Sequence, residues 1–254
     1  MMVVNEKYQA YAEYLAGIPE RFDFEGETIY TGRNEIKVMK MPEGKLINVK
    51  RYHPPRAFNA IVYSTGLRKP KGQRAFEYPE RLLSRHIETP EPLAYIEKRC
   101  LGLLRESYLI TLQCPFPHTM YEMGNAEEGT YEELAAAFAD YTAHMHEEGV
   151  MHRDYSPGNI LWMKEEGAEG KDERYLFSVV DINRMFFGQV SMEKGCRNLC
   201  RLWGPKRFFQ LVVRHYAEKR GFDTDEAERI ALKARSAFWK RFGKKHRIKF
   251  KLEL

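Results

Sequence analysis

The fold is decided by the stretch Met151-His152-Arg153-Asp154-Tyr155-Ser156-Pro157-Gly158-Asn159-Ile160-Leu161. An acid and an amide, Asp154 and Asn159, stand five positions apart, and the Ser-Pro-Gly run between them favours a tight turn. The apolar residues that begin at Ile160 are typical of a strand that anchors such a turn in a core. The pattern therefore predicts a tightly turned loop with two polar side chains, followed directly by a strand.

A second acid stands at the end of another apolar run. The run from Tyr175 to Val180 predicts a strand, and Asp181 follows it, 22 positions after Asn159. The polar stretch 164–174 predicts the loop of the hairpin that joins the two strands. Asp181 is therefore either a functional residue or a plain N-cap acid at the end of a solvated hairpin.

The two segments together resemble the catalytic loop and the metal-binding strand end of protein-kinase-like phosphotransferases. In that pattern, H-R-D-x-x-x-x-N, the Asp accepts or orients the proton of an attacking hydroxyl, and the Asn and the later Asp hold a metal on the nucleotide phosphates. The resemblance gives the base role to Asp154 and the metal-binding role to Asn159 and Asp181. The third residue of the second motif is Asn183, so this motif is not D-F-G.

The chain before residue 114 predicts a five-stranded sheet and one helix. The stretch Thr28 to Met41 alternates as a β-hairpin with its turn at 31–34. Further strands are predicted at 45–52, 93–97 and 108–112, and a helix is predicted from Ala75 to Arg85, in which Pro79 is tolerated if it lies in the first turn. An N-terminal helix that precedes these strands is predicted at 5–16. The hairpin has one glycine and no glycine-rich loop.

Lys50 lies on the strand at 45–52 and resembles the kinase lysine that binds the α- and β-phosphates. Lys45 and Arg51 are the alternatives. The helix after it should supply the acid that pairs with this lysine, and both Glu77 and Glu80 qualify by type. We prefer Glu77.

The later part of the chain is mostly helical. Gln113-Cys114-Pro115 is interpreted as a hinge, where backbone groups of Gln113 and Cys114 would bind the adenine edge. Thr130 and Glu133 predict a capping box that opens a helix at 131–147, with Leu134, Phe138, Tyr141 and Met145 buried. Further helices are predicted at 196–203, 206–220 and 225–242. The expected fold is α+β and two-lobed, protein-kinase-like, with a β-rich N-lobe at 1–113 and a mostly helical C-lobe at 114–254.

Within this superfamily the chain is similar to the lipopolysaccharide core kinases, the Kdo/heptose kinase family. The similarity extends from about residue 25 to about residue 215, and it is carried by the segments 47–52, 72–77, 87–92, 152–156 and 180–184. It implies ATP-dependent phosphorylation, with Mg²⁺, of a sugar hydroxyl on a lipid-linked inner-core saccharide. One departure concerns Ser156, which stands where protein kinases often carry a lysine that steadies the transferring phosphoryl group. Arg153 and Arg184 are candidates for that charge.

Three alternative classes are weaker. A eukaryotic-type protein kinase needs a peptide-binding helical subdomain, but only 73 residues follow Asp181 and no A-P-E occurs. Aminoglycoside- and choline-kinase-like enzymes usually have H-G-D, where Arg153 replaces the glycine. A pseudokinase scaffold would lack the Lys, Asp or Asn, and all three are present.

Composition is that of a soluble globular protein, with 43% hydrophobic and 30% charged residues and a net charge of +5. No apolar run reaches the roughly 18–20 residues that span a bilayer, and no signal peptide is apparent. The four cysteines are expected to be free thiols in a reducing compartment, and a cytoplasmic location is expected. The basic stretch 56–74 is either a solvated loop or a patch for an anionic acceptor.

The C-terminal segment 233–251 carries nine basic residues, no acid, and interleaved aromatic residues. This combination predicts docking on an anionic membrane surface, at the inner face of the cytoplasmic membrane, with rings at headgroup level. The alternative is a last helix that packs Phe238 and Phe242 on the larger lobe and leaves a solvated basic tail. Nucleic-acid binding is not expected, because no nucleic-acid motif accompanies the charge.

Overall fold

The computed structural model describes residues 1–55, 62–65, 67–166 and 173–254. Over these ranges the chain forms two compact units. The first unit comprises Met1–Ser84 and Thr89–Pro115, and the second comprises Arg85–Glu88 and Phe116–Leu254. Each unit is described by itself below.

The first unit is built on an antiparallel sheet of six strands in the order β1-β5-β6-β4-β3-β2. Its strands are β1 (Met2–Val4), β2 (Glu27–Thr31), β3 (Asn34–Lys40), β4 (Leu46–Tyr52), β5 (Pro92–Cys100) and β6 (Leu103–Leu112). The prediction of five strands missed β1, which pairs with the edge of β5. Three residues are too few to show an alternating pattern, so the sequence carried no signal for this strand.

One face of the sheet is covered by the N-terminal helical segment. The segment predicted as one helix at 5–16 is a 3-10 helix (Glu6–Tyr11) followed by α1 (Ala12–Ala16) and α2 (Ile18–Arg21). Tyr8 has non-helical backbone angles, which explains why regular α-helix begins only after it. The fully buried residues Leu15, Ile18 and Phe22 pack with Val49 and Ile110 of the sheet in one core.

The helix α3 (Lys71–Leu83) carries the predicted pairing acids, but it begins four residues earlier than predicted. Pro79 is therefore in the helix interior and not in the first turn. Its missing N–H removes one hydrogen bond of the ladder, and its ring is buried instead. The early start depends on Gly72, since a Cβ there would lie 2.5 Å from the Tyr95 ring. This close approach was not visible from the sequence.

The second unit combines short strands with longer helices. Its strands are β7 (His118–Thr119), β8 (Val150–His152), β9 (Ile160–Glu165), β10 (Arg174–Val179) and β11 (Met185–Phe187), arranged as β10-β9-β7 and β11-β8. Its helices are α4 (Glu132–Glu147), α5 (Met192–Asn198), α6 (Lys206–Lys219) and α7 (Thr224–Gly243), with 3-10 turns at 120–125, 157–159, 182–184 and 199–201. The predicted hairpin of β9 and β10 is present, and residues 167–172 of its loop lie outside the described residues.

Two details of the helices differ from the predictions. The predicted capping box of Thr130 and Glu133 is absent, because the Glu132 carboxylate accepts the backbone N–H groups of Gly129 and Tyr131. The helix predicted from residue 196 begins at Met192, where Ser191 caps it. None of the helices within the described ranges is both long and apolar enough to cross a membrane.

A buried histidine connects three helices of the second unit. His146 of α4 lies 2.9 Å from the Tyr216 hydroxyl of α6 through Nδ1 and 3.3 Å from the Asn198 side-chain oxygen of α5 through Nε2. The amide oxygen can only accept, so the proton is on Nε2, and Nδ1 accepts from the hydroxyl. Burial, together with the nearby Arg220 cation, lowers the pKa of His146 to about 3. The folded state therefore holds this imidazole neutral.

We expect acid to destabilise the second unit through His146. The pKa is depressed in the folded state, so the stabilisation is complete above the unfolded value of about 6.5 and is lost as pH falls toward about 3. At pH 5 this one residue should cost about 2 kcal/mol of unfolding free energy. Urea denaturation followed by tryptophan fluorescence measures this, because Trp162, Trp203 and Trp239 all lie in the second unit.

The matched variants are His146→Gln and His246→Gln, since His246 is exposed. His146→Gln should flatten the fall in stability between pH 7 and pH 5, whatever its stability at pH 7, and His246→Gln should leave the fall as in the wild type. An unchanged pH dependence in His146→Gln would contradict the neutral buried state.

The C-terminal tail folds back onto the second unit after α7. Phe250 is buried, with its ring stacked 4.9 Å from the Trp203 ring and edge-on 5.1 Å from the Trp239 ring, measured between centroids. The Lys206 backbone N–H at the start of α6 donates to the Glu253 carboxylate at 3.1 Å. The tail is therefore part of the packed unit.

Phe250→Ala should lower the free energy of unfolding by about 3 kcal/mol, because truncation leaves a cavity between two tryptophan rings. The neighbouring Lys249 is exposed, so Lys249→Ala serves as the control and should change stability by less than about 0.5 kcal/mol. Both are measured by urea denaturation at pH 7. Equal stabilities of the two variants would show that the tail is not docked.

Candidate active site

The loop after β8 is fixed by a buried histidine. His152 accepts the Asp154 backbone N–H at Nδ1 over 3.1 Å, and its Nε2 donates to the Val180 carbonyl over 3.0 Å. Burial lowers the pKa of His152, which favours the neutral ring with its proton on Nε2. One imidazole thus connects the backbone of Asp154 to the residue just before Asp181.

The turn between Asp154 and Asn159 is closed by its own hydrogen bonds. The Ser156 N–H donates to the Asp154 carbonyl at 2.7 Å, and the Asn159 side-chain nitrogen donates to the same carbonyl at 2.9 Å. A Cβ at Gly158 would lie 2.6 Å from the Tyr121 ring, so a larger residue there would need the ring to move. Because the Asn159 amide nitrogen is used inside the loop, its side-chain oxygen is the atom of this amide that could bind a metal.

Asp181 follows β10 in the left-handed backbone region, with φ 54° and ψ 41°. Asp tolerates this region better than most residues, although it remains a strained conformation. The Asn183 side-chain nitrogen donates to Asp181 Oδ1 at 2.6 Å, and the Val180 N–H donates to the Asn159 carbonyl at 3.0 Å. The structure therefore brings Asn159 and Asp181 onto two segments that are bonded to each other.

The donor atoms of this region fit a hard cation. The site offers an amide oxygen from Asn159 and a carboxylate from Asp181, the oxygen ligands that Mg²⁺ prefers. Asn183 Oδ1 is buried and has no hydrogen-bond partner among the described residues. An oxygen left in this way beside a carboxylate suits a water of a metal's hydration shell.

Sequence reasoning missed Arg201, whose guanidinium Nη1 forms an ion pair with Asp154 Oδ1. Its Cζ lies 5.2 Å from the Phe238 ring centroid. Arg201 is 47 residues beyond Asp154, and no spacing rule connects the two positions. The suggested Arg153 and Arg184 are both exposed, and Arg153 has its guanidinium 5.6 Å from the Phe186 ring centroid.

In the first unit, the predicted phosphate-anchoring residues have the following contacts. Lys50 lies on β4 with Nζ 5.3 Å from the Tyr52 ring centroid. The Glu77 carboxylate of α3 accepts from Lys69 Nζ at 2.7 Å and from Gln73 at 3.1 Å. Glu80 is exposed. The pairing of Lys50 with Glu77 stays a prediction.

The alternatives to Lys50 and the basic stretch are placed as follows. Arg51 pairs with Asp23 and Glu35, and Lys45 is exposed. Within the basic stretch 56–74, Lys69 is the residue that binds Glu77. Residues 56–61 and 66 of that stretch lie outside the described residues.

The predicted hinge lies where the first unit ends, at Pro115. The Gln113 N–H donates to the Leu46 carbonyl at 3.0 Å, and its side-chain oxygen accepts from Asn48 at 3.0 Å. Its side-chain nitrogen donates to the Cys114 carbonyl at 3.3 Å. The backbone N–H of Gln113 is thus engaged within the sheet, and adenine contacts by Gln113 and Cys114 stay a prediction.

Comparison with known proteins gives matches of two kinds. The sequence model of the lipopolysaccharide kinase (Kdo/WaaP) family matches residues 43–202, well over half of the chain. The structure is similar to that of WaaP in complex with acyl carrier protein, at 16% identity and a TM-score of 0.58, covering 96% of this chain and 98% of that chain. It is also similar to the Rio2 kinase–ADP/Mg²⁺-phosphoaspartate complex from Chaetomium thermophilum, at 16% identity and a TM-score of 0.50, covering 91% and 71%. No curated protein sequence matches.

The structural likenesses show the fold alone, and they confirm the predicted α+β, protein-kinase-like class. The residues predicted for the site, and Arg201, all lie inside the matched range 43–202. The protein-kinase, aminoglycoside- or choline-kinase-like and pseudokinase alternatives are therefore not taken further. The chain belongs to the lipopolysaccharide kinase (Kdo/WaaP) family and is an ATP-dependent phosphotransferase that acts on the lipopolysaccharide core.

Proposed function

We propose that this kinase phosphorylates one sugar hydroxyl, on Kdo or heptose, of a lipid-linked inner-core saccharide. The observation that carries the proposal is the frame around His152, which connects the backbone of Asp154 to that of Val180, the residue before Asp181. A carboxylate beside an oxygen-rich metal site is the arrangement that transfer of a phosphoryl group to an alcohol requires. The anionic saccharide also suits a chain with a net charge of +5.

Asp154 is the proposed catalytic base. A sugar hydroxyl is a weak acid, so a positioned carboxylate must orient it and take its proton as the new bond forms. Asp154 is about one-quarter exposed, and the turn that carries it is fixed by Asn159 and Ser156. This combination of rigidity and access supports the assignment.

Mg²⁺ is the proposed metal, held by Asn159 and Asp181, and it would neutralise charge on the ATP phosphates. Asn183 orients Asp181 through the bond to Oδ1. In the first unit, Lys50 is proposed to bind the α- and β-phosphates with Glu77 as its partner, and the backbone of Gln113 and Cys114 to bind adenine. Lys50 and Glu77 belong to the same unit, on β4 and α3.

Asp154→Asn should retain Mg·ADP affinity and lose phosphotransfer by roughly 10²–10⁴-fold, because the amide cannot take the proton. Asp181→Asn is the matched contrast, since it should weaken Mg²⁺-dependent ADP binding as well. Transfer to a panel of core saccharides is read by mass spectrometry, and ADP binding by calorimetry with and without Mg²⁺. Full transfer by Asp154→Asn, or unchanged Mg·ADP affinity in Asp181→Asn, would remove the corresponding role.

We further propose that the protein works in the cytoplasm, where ATP is available, and docks on the anionic inner face of the cytoplasmic membrane. Exposed cations of the C-terminal segment support this: Lys240, Arg241, Lys244, Lys245, Arg247, Lys249 and Lys251. A groove of about 550 Å³ at the tail is lined by Asn125, Arg247, Ile248, Lys249, Phe250 and Lys251. Cations around such a groove suit phosphate headgroups.

The membrane docking that we propose differs in one respect from the docking that the sequence pattern predicted. Trp239 and Phe250 are buried in the second unit, and Arg235 is fully buried with its guanidinium on two backbone carbonyls. The sequence pattern predicted rings at headgroup level and cations directed toward anionic lipid, and the burial of these three side chains excludes them from those contacts. The proposed docking is mainly electrostatic, and removal of the whole tail would also remove Phe250 from the core.

The test therefore replaces charges and keeps the tail. Lys244, Lys245 and Lys249 changed together to Gln should weaken binding to vesicles with anionic lipid by roughly two orders of magnitude at low salt, at about 1 kcal/mol per cation. The control changes three cations of the first unit, Lys7, Lys40 and Lys98, to Gln. Binding is measured by co-sedimentation with anionic and with zwitterionic vesicles. Equal binding of the two triple variants would exclude the tail from membrane docking.

A further inference from the structure

We infer that Arg201 is a catalytic residue whose guanidinium contacts the transferring phosphoryl group while it stays paired with Asp154. The inference rests on the proposed function, since it needs Asp154 as the base. It starts from the absence of a positively charged side chain in the loop after Asp154.

The loop after Asp154 carries no cation, because no Lys or Arg occurs at residues 155–160. Phosphoryl transfer spreads negative charge over three equatorial oxygens, and kinases and related enzymes meet this charge with a cation beside the metal. The Arg153 guanidinium lies over the Phe186 ring, and the Arg153 backbone N–H donates to the backbone carbonyl of Arg184. Among Arg153, Arg184 and Arg201, it is Arg201 whose side chain forms an ion pair with the Asp154 carboxylate.

The geometry of the transfer step brings the phosphoryl oxygens close to the Arg201 guanidinium. An attacking hydroxyl lies within about 2.6–3.2 Å of its base, and its oxygen approaches phosphorus to about 3–3.5 Å. A guanidinium bonded to the same carboxylate is therefore a near neighbour of the phosphoryl oxygens. Arginine has five N–H donors, of which the structure shows Nη1 on Asp154 Oδ1, and the side chain is about one-third exposed.

The segment that carries Arg201 is held on both sides in sequence, and the guanidinium also has an aromatic neighbour. Before it, the Asn198 side chain donates to the His152 carbonyl at 2.9 Å, which ties the segment to the catalytic loop. After it, buried Arg235 donates to the Leu202 carbonyl at 2.7 Å and to the Gly204 carbonyl at 2.8 Å. The Phe238 ring lies against the guanidinium itself. A donor held in this way loses little freedom when charge develops beside it.

In the step, the acceptor oxygen forms a bond to the γ-phosphorus as the bond from that phosphorus to the β,γ-bridging oxygen breaks. The electron pair of the broken bond leaves with ADP, and the acceptor proton moves to Asp154 and then to water. Arg201 keeps its proton throughout. Its part is to offset charge on the phosphoryl oxygens and to hold Asp154 in orientation through one carboxylate oxygen.

The test compares Arg201→Met and Arg201→Lys with Arg197→Met, a control on α5 whose exposed arginine pairs with Glu193. Steady-state kinetics give kcat and KM, and calorimetry gives the affinity for Mg·ADP with and without aluminium fluoride, a mimic of the transferring phosphoryl group. Arg201→Met should lower kcat by roughly 10²–10³-fold with KM for ATP nearly unchanged. It should weaken the aluminium fluoride complex by a similar factor and leave Mg·ADP affinity within twofold. Arg201→Lys should recover part of both losses, and Arg197→Met should lose neither.

Two results would overturn the inference. One is an Arg201→Met variant with wild-type affinity for the aluminium fluoride complex, whether its kcat is retained or is lost through a displaced Asp154. The other is a parallel loss of Mg·ADP affinity and thermal stability, which would mark a structural residue. If the wild type phosphorylates no core saccharide, the proposed acceptor fails, and the aluminium fluoride binding of the variants still decides the role of Arg201.

Discussion

A single buried imidazole holds the site together. His152 has one nitrogen on the Asp154 backbone and the other on the carbonyl of Val180, so both acidic segments depend on one ring in one protonation state. Protonation would leave two donors facing each other, and an unsatisfied buried polar group costs about 1–3 kcal/mol. Burial prevents this by lowering the pKa of His152. The backbone carbonyl of His152 accepts from the Asn198 side chain, which also contacts His146, so the frame extends into the helices of the second unit.

The C-terminal tail is connected to the catalytic loop through a row of aromatic rings. Phe250 packs on Trp203, Trp203 meets Tyr121 edge-on with ring centroids 4.5 Å apart, and Tyr121 lies against Gly158 of the catalytic loop. A continuous set of rings therefore runs from the tail to the turn between Asp154 and Asn159, the proposed base and the proposed metal ligand. Membrane contact at the tail cations would be made by a segment that is packed, through these rings, on the catalytic loop. Coupling between the tail and the catalytic loop would have to pass through these rings.

The sequence was informative where its signal was local. Alternating residues located β2, β3 and β4, and the spacing of Asp154, Asn159 and Asp181 anticipated the loops that the structure joins through Val180. It failed where a tertiary contact decides. The start of α3 depends on the fit of Gly72 against Tyr95, and the pairing of Arg201 with Asp154 joins positions 47 residues apart. The basic tail shows both cases. Its positive charge could be predicted from the sequence, but the burial of Trp239, Phe250 and Arg235 could not.

The two carboxylates proposed for function, Asp154 and Asp181, share an arrangement that explains why one part of the site was predictable and the other was not. Each has a side-chain donor on its Oδ1: Asn183 for Asp181 and Arg201 for Asp154. A donor on one oxygen fixes the rotamer before substrate arrives, and a carboxylate still has acceptor sites for a metal or a hydroxyl proton. For Asp181 the donor is two residues away and neutral, so the D-x-N motif contains it and leaves the charge for a cation. For Asp154 the donor is Arg201, which is distant in sequence and cationic. A cation suits a base that acts beside a phosphoryl group on which negative charge develops. The chemical demand on each acid thus agrees with the charge of the residue that holds it.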